Sequence, residues 1–137
     1  MEIKIGMVVS EFNREITSMM EKAAESTAKK LNVKIAKKIH VPGSFEIPFA
    51  ADNIFSKGKI DALVALGAVI EGETHHDIII VSTVAQKLVD ISLKYKKPIG
   101  FGVIGPRVTW KQAESRAEEY AERAVQTAFE MAKLIKK

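Results

Sequence analysis

Hydrophobic side chains occupy alternate positions at the start of the chain, and further along they recur at helical spacing. Alternation with a period of two is typical of a strand, and we predict that residues 2–9 form one. From Ile16 onward the apolar positions repeat at intervals of three and four, which is the spacing of a helix with one buried face. The residues on this stripe are Ile16, Met19, Met20, Ala23, Ala24, Thr27 and Leu31.

Three further strands alternate with three further helices in the rest of the chain. The predicted strands are Val33–Val41, Ala62–Ile70 and residues 98–104, and the predicted helices are residues 45–57, residues 75–95 and a final helix. Ala62–Ile70 is apolar on both faces of the pleat, as expected of a central strand covered by helices on each side. The final helix shows a stripe at Ala117, Tyr120, Ala121, Ala124, Val125, Ala128, Ala132 and Ile135.

No hairpin signal separates any two of these strands, so each strand is expected to run parallel to its neighbours. Four strand–helix units with right-handed crossovers predict an α/β three-layer sandwich, with a four-stranded parallel sheet flanked by helices in a flavodoxin-like topology. The chain has 137 residues, of which 47% are hydrophobic and 28% are charged, and this balance is typical of one folded domain. We therefore expect residues 1–137 to form a single domain.

Composition excludes several kinds of chemistry. The sequence contains no cysteine, which excludes disulfides, thiolate metal sites, cysteine nucleophiles and iron–sulfur ligation. The start of the chain does not resemble a signal peptide, and the apolar run Ala62–Ile70 is too short to span a bilayer. These features lead us to expect a cytoplasmic protein with no membrane partner.

The formal net charge of +4 raises the question of a nucleic-acid partner. Many of the lysines instead close predicted helices, where cations complement the negative end of the helix dipole. These are Lys94, Lys96, Lys97, Lys133, Lys136 and Lys137. Aromatic residues are not interleaved with the basic ones to form a base-stacking surface, so we expect no nucleic-acid partner.

Chemically distinctive residues follow the first three predicted strands. The segments are Ser10–Asn13, Pro42–Glu46 and Gly67–Asp77, and the last one carries two of the three histidines. Open parallel sheets bind ligands outside the carboxyl ends of their strands. We therefore expect these three loops to converge on one edge of the sheet.

The third loop has both a structural and a functional interpretation. Thr74 and Asp77 fit a capping box, with Thr74 as the N-cap and Asp77 reaching back to it. A capping box does not explain the histidines. His76 would lie in the first helical turn, where the positive helix end favours a neutral ring that can accept and return a proton.

The same loop suits an anion better than a metal ion. Gly72 would let the backbone approach a ligand, and free N–H groups around residues 73–75 would suit a phosphate. Adjacent histidines point away from one another on a helix, and the i, i+4 pair of a zinc-binding helix is missing. The third histidine, His40, lies near a strand end with no recognisable partner and is assigned a structural role.

Structural roles also account for single residues of the other two loops. Ser44 and Glu46 suit the start of a helix, and Phe45 suits the core. Taken alone, Phe12 is best explained as a packing residue and Asn13 as an N-cap.

Taken together and in order, three motifs resemble the lumazine synthase family in its short, archaeal-like form. They are Phe12–Asn13, Pro42–Pro48 with the sequence PGSFEIP, and Gly67–His76 with the sequence GAVIEGETHH. The resemblance covers essentially the whole chain. The three separated motifs together are specific evidence for the family, whereas any one of them alone would be weak evidence.

The resemblance implies a transferase of riboflavin biosynthesis. Members of this family condense 5-amino-6-(D-ribitylamino)uracil with 3,4-dihydroxy-2-butanone 4-phosphate to give 6,7-dimethyl-8-ribityllumazine, phosphate and water, and they use no metal or organic cofactor. The family forms homopentamers, alone or assembled into icosahedral shells, with active sites between subunits. The sequence does not decide between the pentamer and the shell.

By position, the resemblance implies a role for each motif residue. Phe12 would stack on the pyrimidine, Glu46 would accept hydrogen bonds from the ribityl chain, and His76 would be catalytic. The substrate-binding set that the resemblance implies is Phe12, Asn13, Ser44, Phe45, Glu46, Val69, Ile70, Glu73, Thr74, Phe101 and Arg116. In that set Val69 and Ile70 act through the backbone, and Glu73 and Thr74 bind phosphate largely through main-chain N–H groups.

In the family, a neighbouring subunit supplies an aromatic residue and an arginine, which correspond here to Phe101 and Arg116. Arginine suits phosphate because its planar fork gives two charge-assisted hydrogen bonds. Without the resemblance, Phe101 would be assigned to the core and Arg116 to the exposed face of a helix. A second basic residue near the phosphate is left open between Arg123 and Arg107.

Three alternatives to this function remain at the sequence level. An archaeal-type riboflavin synthase is a relative that would dismutate the lumazine product, but the loop Gly72–His76 speaks against it. A noncatalytic flavin-binding shell protein would not need His76 and Arg116. A flavodoxin-like electron carrier is compatible with the topology alone and would copurify with FMN.

Overall fold

The structure is a computed structural model that describes residues 2–136, so that Met1 and the predicted helix-end lysine Lys137 lie outside it. The strands are β1 (Lys4–Ser10), β2 (Lys34–Val41), β3 (Ala62–Ala68) and β4 (Ile99–Ile104). The helices are α1 (Arg14–Lys30), α2 (Ile47–Ser56), α3 (His76–Tyr95) and α4 (Trp110–Lys136), and a 3-10 turn at Ser44–Glu46 precedes α2. Every predicted strand and helix is present, with its ends shifted by a few residues.

The four strands form one parallel sheet in the order β2-β1-β3-β4. Helices α1 and α4 pack on one face of the sheet and α2 and α3 pack on the other, and each face has its own hydrophobic core. The three-layer α/β sandwich with flavodoxin-like topology is therefore confirmed. Every residue of β3 is buried, as its two-sided apolar pattern predicted.

Helix α4 packs directly against the sheet because small residues line the contact. Its buried face consists mainly of alanines, namely Ala113, Ala117, Ala121, Ala124, Ala128 and Ala132. A Cβ atom added to Gly100 of β4 would lie 2.0 Å from the carbonyl oxygen of Ala124, so only glycine allows this approach. Ile135, predicted on the same stripe, is 59% exposed, because the last turn of the helix extends past Ala132, its final buried residue.

A buried carboxylate ties α1 to the edge strand β2. Oxygen Oε1 of Glu21 accepts from Arg14 Nη2 at 2.7 Å and lies 2.9 Å from His40 Nε2, while Lys38 Nζ is 2.9 Å from Oε2. His40 therefore has a partner, and the prediction that it stands alone is wrong because Glu21 comes from a different element. Burial raises the pKa of Glu21, but hydrogen bonds from His40, Lys38 and Arg14 outweigh it and lower the pKa to about 2.

This cluster predicts a specific loss of stability in acid. A lowered pKa in the folded state means that the stabilisation is present above the pKa of the unfolded chain, 4.5, and is lost as the pH falls toward 2. We expect Glu21→Gln to flatten the decline in unfolding free energy between pH 5 and pH 2 by about 1 to 2 kcal/mol, because the cations around Glu21 are partly exposed.

Urea denaturation at each pH measures this effect, and the exposed Glu15→Gln on the same helix is the control. Equal slopes for the wild type and Glu21→Gln would show that the Glu21 cluster does not contribute to acid sensitivity.

Candidate active site

A cleft of about 320 Å³ lies at the carboxyl ends of β1, β2 and β3. All three loops identified from the sequence contribute to it, as does the first turn of α3. The lining residues are Phe12, Asn13, Gly43, Ser44, Phe45, Ala68, Val69, Ile70, His76, Asp77 and Ile80. The structure thus brings seven of the predicted site residues to one cleft, which are Phe12, Asn13, Ser44, Phe45, Val69, Ile70 and His76.

The other predicted site residues lie outside this lining. Glu46, Glu73 and Thr74 are exposed on the loops that flank the cleft. Phe101 lines a separate cavity of about 210 Å³ with Tyr120, Arg123, Ala124 and Thr127. Arg116 is exposed on α4 and does not line either cavity. Within one protomer, the cleft therefore does not include Phe101 or Arg116.

The aromatic residues that the sequence assigned to substrate binding are exposed. Phe12 is 70% exposed, Phe45 is 61% exposed and Phe101 is 40% exposed, so the packing interpretation is wrong for all three. Sequence alone could not show this because the same side chain serves a core or a ligand site equally well. An exposed aromatic ring beside a cleft offers an apolar face to a flat ligand.

Backbone pairing fixes the first loop against the second. Glu11 and Phe12 donate their N–H groups to the carbonyls of Val41 and Pro42, at 2.8 and 3.0 Å. Asn13 is at the N-cap position of α1, as predicted, and has left-handed backbone angles. Its side chain makes no cap hydrogen bond, and Nδ2 instead donates to the carbonyl of Ala68 at 2.8 Å. Asn13 thus joins the first loop to the end of β3.

The predicted capping box is wrong. Helix α3 begins at His76, its N-cap is His75 in the left-handed conformation, and no side chain caps it. Asp77 is not available to reach back because Arg107, thirty positions further along the chain, binds its carboxylate. His76 lines the cleft from the first residue of the helix, in agreement with its predicted placement.

The contact between Arg107 and Asp77 is the main feature that sequence reasoning missed. Asp77 Oδ2 accepts from the backbone N–H of Arg107 at 2.7 Å and from its Nε at 2.9 Å, while Nη2 donates to Oδ1 at 2.9 Å. The guanidinium hydrogen bonds lower the pKa of Asp77 to about 2, so the buried carboxylate is ionised at neutral pH. No sequence spacing marks this pair, since the two residues lie on different elements.

Some backbone groups expected to face a ligand are already paired. His75 donates its N–H to the carbonyl of Gly72 at 3.3 Å, and Val69 donates its N–H to Ile104 at 2.9 Å. The expectation of a free N–H at His75 is therefore wrong, and Val69 has only its carbonyl left to offer. A Cβ atom at Gly72 would meet no protein atom within 4 Å, so there is open space beside this part of the loop.

Gly67 makes room for a hydroxyl group beneath the cleft. A Cβ atom at Gly67 would lie 2.4 Å from Ser44 Oγ and 3.1 Å from Ser10 Oγ. Ser44 is buried and Ser10 is fully buried, so neither side chain is at the open surface. The position of Ser44 therefore depends on the absence of a side chain on the neighbouring strand.

Two wider properties concern the described residues. Within residues 2–136, no three His, Asp and Glu side chains are grouped so that they could hold a metal ion. None of the helices in that range combines the length and the apolar character needed to cross a lipid bilayer.

Sequence comparison gives matches over nearly the whole chain. The profile of a family described as 6,7-dimethyl-8-ribityllumazine synthase matches residues 2–136. A protein with that name from Metallosphaera sedula is 49% identical over 131 residues, which cover 96% of this chain and 87% of the relative. Relatives with the same name from Methanococcus maripaludis and Methanocaldococcus jannaschii are both 46% identical over 134 residues. Those matches cover 98% of this chain and 97% and 94% of the relatives.

The Gly67 contact gives a prediction about stability. We expect Gly67→Ala to lower the free energy of unfolding by about 1 to 3 kcal/mol, because the new methyl group overlaps the Ser44 hydroxyl. Adding Ser44→Ala removes that overlap, so the double variant should recover part of the loss. Thermal unfolding of the two single variants and the double variant measures the coupling between the sites. If the change in unfolding free energy of the double variant equals the sum of the two single changes, this explanation is contradicted.

Proposed function

The chain belongs to the 6,7-dimethyl-8-ribityllumazine synthase family, and from this premise we propose that the cleft beside His76 is its active site. The enzyme is a transferase of riboflavin biosynthesis. It condenses 5-amino-6-(D-ribitylamino)uracil with 3,4-dihydroxy-2-butanone 4-phosphate to give 6,7-dimethyl-8-ribityllumazine, with release of phosphate and water. No observation on the fold or the cleft favours an archaeal-type riboflavin synthase or a noncatalytic flavin-binding protein.

The convergence of three loops supports the assignment of the site. Three loops from separate parts of the chain meet at a cleft of about 320 Å³, which holds one imidazole, two exposed aromatic rings and several backbone polar groups. These are the features that a flat heterocycle and a proton-transfer reaction require together.

The uracil substrate would lie against the aromatic side of the cleft. Phe12, which is exposed at the cleft, would offer its face to the pyrimidine. The carbonyl of Val69 and the backbone of Ile70, which also line the cleft, would meet the polar edge of the ring. Ser44, Phe45 and Glu46 would hold the ring and the ribityl chain, with the Glu46 carboxylate accepting from the hydroxyl groups. Asn13 keeps Phe12 in place, because its side chain is bonded to the end of β3.

The phosphate of the second substrate would bind near the start of α3. Glu73 and Thr74 are exposed there and precede a helix whose N-terminal dipole favours an anion. Their main-chain N–H groups would make the contacts, because the side chain of Glu73 would repel the phosphate. We propose that no metal ion or organic cofactor takes part.

His76 would move the protons that the reaction needs. Imine formation, loss of phosphate and closure of the ring with loss of water require proton transfers but no hydride or radical step. One imidazole within reach of both substrates can serve several of these steps in turn. Holding two substrates side by side supplies much of the remaining rate acceleration as effective concentration.

We further propose that a neighbouring subunit completes the site, in a homopentamer that forms alone or within an icosahedral shell. In support, Phe101 and Arg116 lie outside the cleft of their own protomer. Helix α3 also presents Ile79, Val89 and Leu93 to solvent, each of them more than half exposed. A row of exposed apolar side chains on one helix is typical of a protein–protein contact. Arg123 shares a cavity with Phe101, and its ion pair with Glu119 joins two exposed side chains. Arg107 is instead bound to the buried Asp77, so Arg123 is the better candidate for the second phosphate-binding residue.

The remaining parts of the proposal concern the whole chain. We propose that residues 1–137 form a single lumazine synthase domain, and the single sheet and the family match over residues 2–136 support this. The lack of cysteine supports a cytoplasmic location.

The role of His76 predicts a graded loss of activity. We expect His76→Ala to lower kcat by roughly 10² to 10⁴-fold without abolishing turnover, because proximity of the two substrates remains. Formation of the fluorescent lumazine from both substrates measures this. The control is His75→Asn, since the ring of His75 does not line the cleft and asparagine tolerates its left-handed backbone. Equal rates for the wild type and His76→Ala would refute the assignment of the proton carrier.

Sharing of the site between subunits predicts complementation. His76→Ala and Arg116→Ala should each be weakly active alone. In oligomers assembled from equal amounts of both variants, about a quarter of the sites should be intact. These are the sites in which one subunit supplies His76 and its neighbour supplies Arg116. An activity equal to the mean of the two variants would place both residues in a site within one subunit.

A further inference from the structure

We propose that Arg107 is a positioning residue for this reaction. It holds the loop that leads into α3, and through that loop it fixes the catalytic imidazole of His76 in the cleft. The inference rests on the proposed role of His76. Arg107 lies in the segment between β4 and α4, and it does not line the cleft.

One guanidinium contacts both ends of the loop. Nη2 of Arg107 donates to the carbonyl of Gly72 at 3.0 Å, at the start of the loop. Nε and the same Nη2 each donate to the Asp77 carboxylate at 2.9 Å, directly after His76. Gly72 and Asp77 therefore bracket the segment that contains Glu73, Thr74 and His76, and one side chain fixes the distance between its ends.

The anchor for this contact is rigid. The Asp77 side chain is completely buried, and it also accepts from the backbone N–H of Arg107 at 2.7 Å. A buried carboxylate that accepts three charge-assisted or backbone hydrogen bonds has little freedom to move. His76 precedes it in the same first helical turn, so the position of its ring follows that of Asp77.

Backbone hydrogen bonds align the same two segments. Val69 donates to Ile104 at 2.9 Å, and Glu71 donates to Val108 at 2.8 Å. These pairs hold residues 69–71 against the segment that carries Arg107. Within residues 72–77 His75 donates to Gly72, and the hydrogen bonds of Arg107 attach this part of the loop to the segment after β4. Backbone hydrogen bonds thus attach the loop to the segment after β4 near the end of the sheet, and the Arg107 side chain attaches it further along the loop.

The backbone conformation of Arg107 is one that glycine adopts more readily than arginine. Its φ angle is +58°, in the left-handed region that favours glycine. A residue with a side chain persists in this region only where surrounding contacts hold it there. Glycine would suit this backbone conformation better, and the hydrogen bonds of the guanidinium to Asp77 and Gly72 are what arginine adds at this position.

The tests use three variants of the full chain. Arg107→Gly removes the guanidinium and suits the left-handed backbone. Arg107→Lys keeps a positive charge but has no fork to reach both Asp77 and Gly72. Arg107→Gly combined with Asp77→Asn removes the contact without leaving a buried charge unpaired, so this variant is expected to fold even if Arg107→Gly alone does not. Lys38→Ala is the matched control, because it takes a cation from the buried Glu21 away from the cleft.

Steady-state kinetics with both substrates separate positioning from phosphate binding. We expect Arg107→Gly and the double variant to lower kcat by roughly 10- to 100-fold, as a displacement of about 1 Å can do, with KM for the butanone phosphate changed less than about threefold. Arg107→Lys should recover part of kcat, and Lys38→Ala should keep it. In a His76→Ala background, Arg107→Gly should cause little further loss, because both changes remove the same contribution.

Hydrogen exchange of the amides in residues 69–77 tests the proposal without turnover. We expect faster exchange there in Arg107→Gly and in the double variant than in the wild type or Lys38→Ala. Wild-type kcat in a folded variant without the guanidinium, or unchanged exchange in this loop, would overturn the proposal. An increase in KM alone would assign Arg107 to phosphate binding instead. If the loop opens as expected while His76→Ala keeps full activity, the proposed function of His76 fails and the attachment of the loop by Arg107 stands.

Discussion

The shared direction of the four strands is the constraint on which the rest of the structure depends. In a parallel sheet every strand delivers its loop to the same edge, so residues far apart in sequence meet there. The central strand β3 is fully buried between two helical layers and fixes this arrangement. The first three loops then become neighbours, and they are joined by the pairing of Phe12 with Pro42 and by the hydrogen bond from Asn13 to Ala68. The parallel topology therefore determines where the cleft forms, and no single residue does so.

Two buried carboxylates act on this framework in comparable ways. Glu21 joins α1 to the edge strand, and Asp77 joins the start of α3 to the segment after β4. Burial raises the pKa of each carboxylate, but hydrogen bonds from its partners outweigh burial and lower the pKa to about 2. Each carboxylate would be costly to bury without these partners. The first supports the sheet at its open edge, whereas the second lies beside the residue that we assign to proton transfer. A buried, hydrogen-bonded carboxylate thus stabilises the fold at Glu21, and we propose that it positions the site at Asp77.

The sequence predicted the strands and helices well because buried apolar residues recur at the spacing of a strand or a helix. The two-sided apolar run at Ala62–Ile70 identified the central strand, and the alanine stripe identified α4, although the exposure of Ile135 shows that periodicity does not reveal where packing ends. Long-range pairs were not predictable. The capping box at Thr74 and Asp77 was a sound local prediction that failed because Arg107 competes for the carboxylate. Local sequence also cannot tell whether an aromatic residue such as Phe12 packs in the core or faces a ligand. The structure shows that Phe12 is exposed at the cleft, which the order and spacing of the three motifs across the whole chain had led us to expect.

We propose that the cleft binds both substrates and that a second copy of the chain completes it. A structure of the assembled protein with an unreactive analogue of the ribitylaminouracil substrate, soaked with inorganic phosphate, tests it most directly. We expect the analogue ring to stack on Phe12 beside His76, with phosphate near Thr74 and within reach of Arg116 from a neighbouring subunit. An analogue bound away from Phe12, or a complete site formed by one subunit alone, would contradict it.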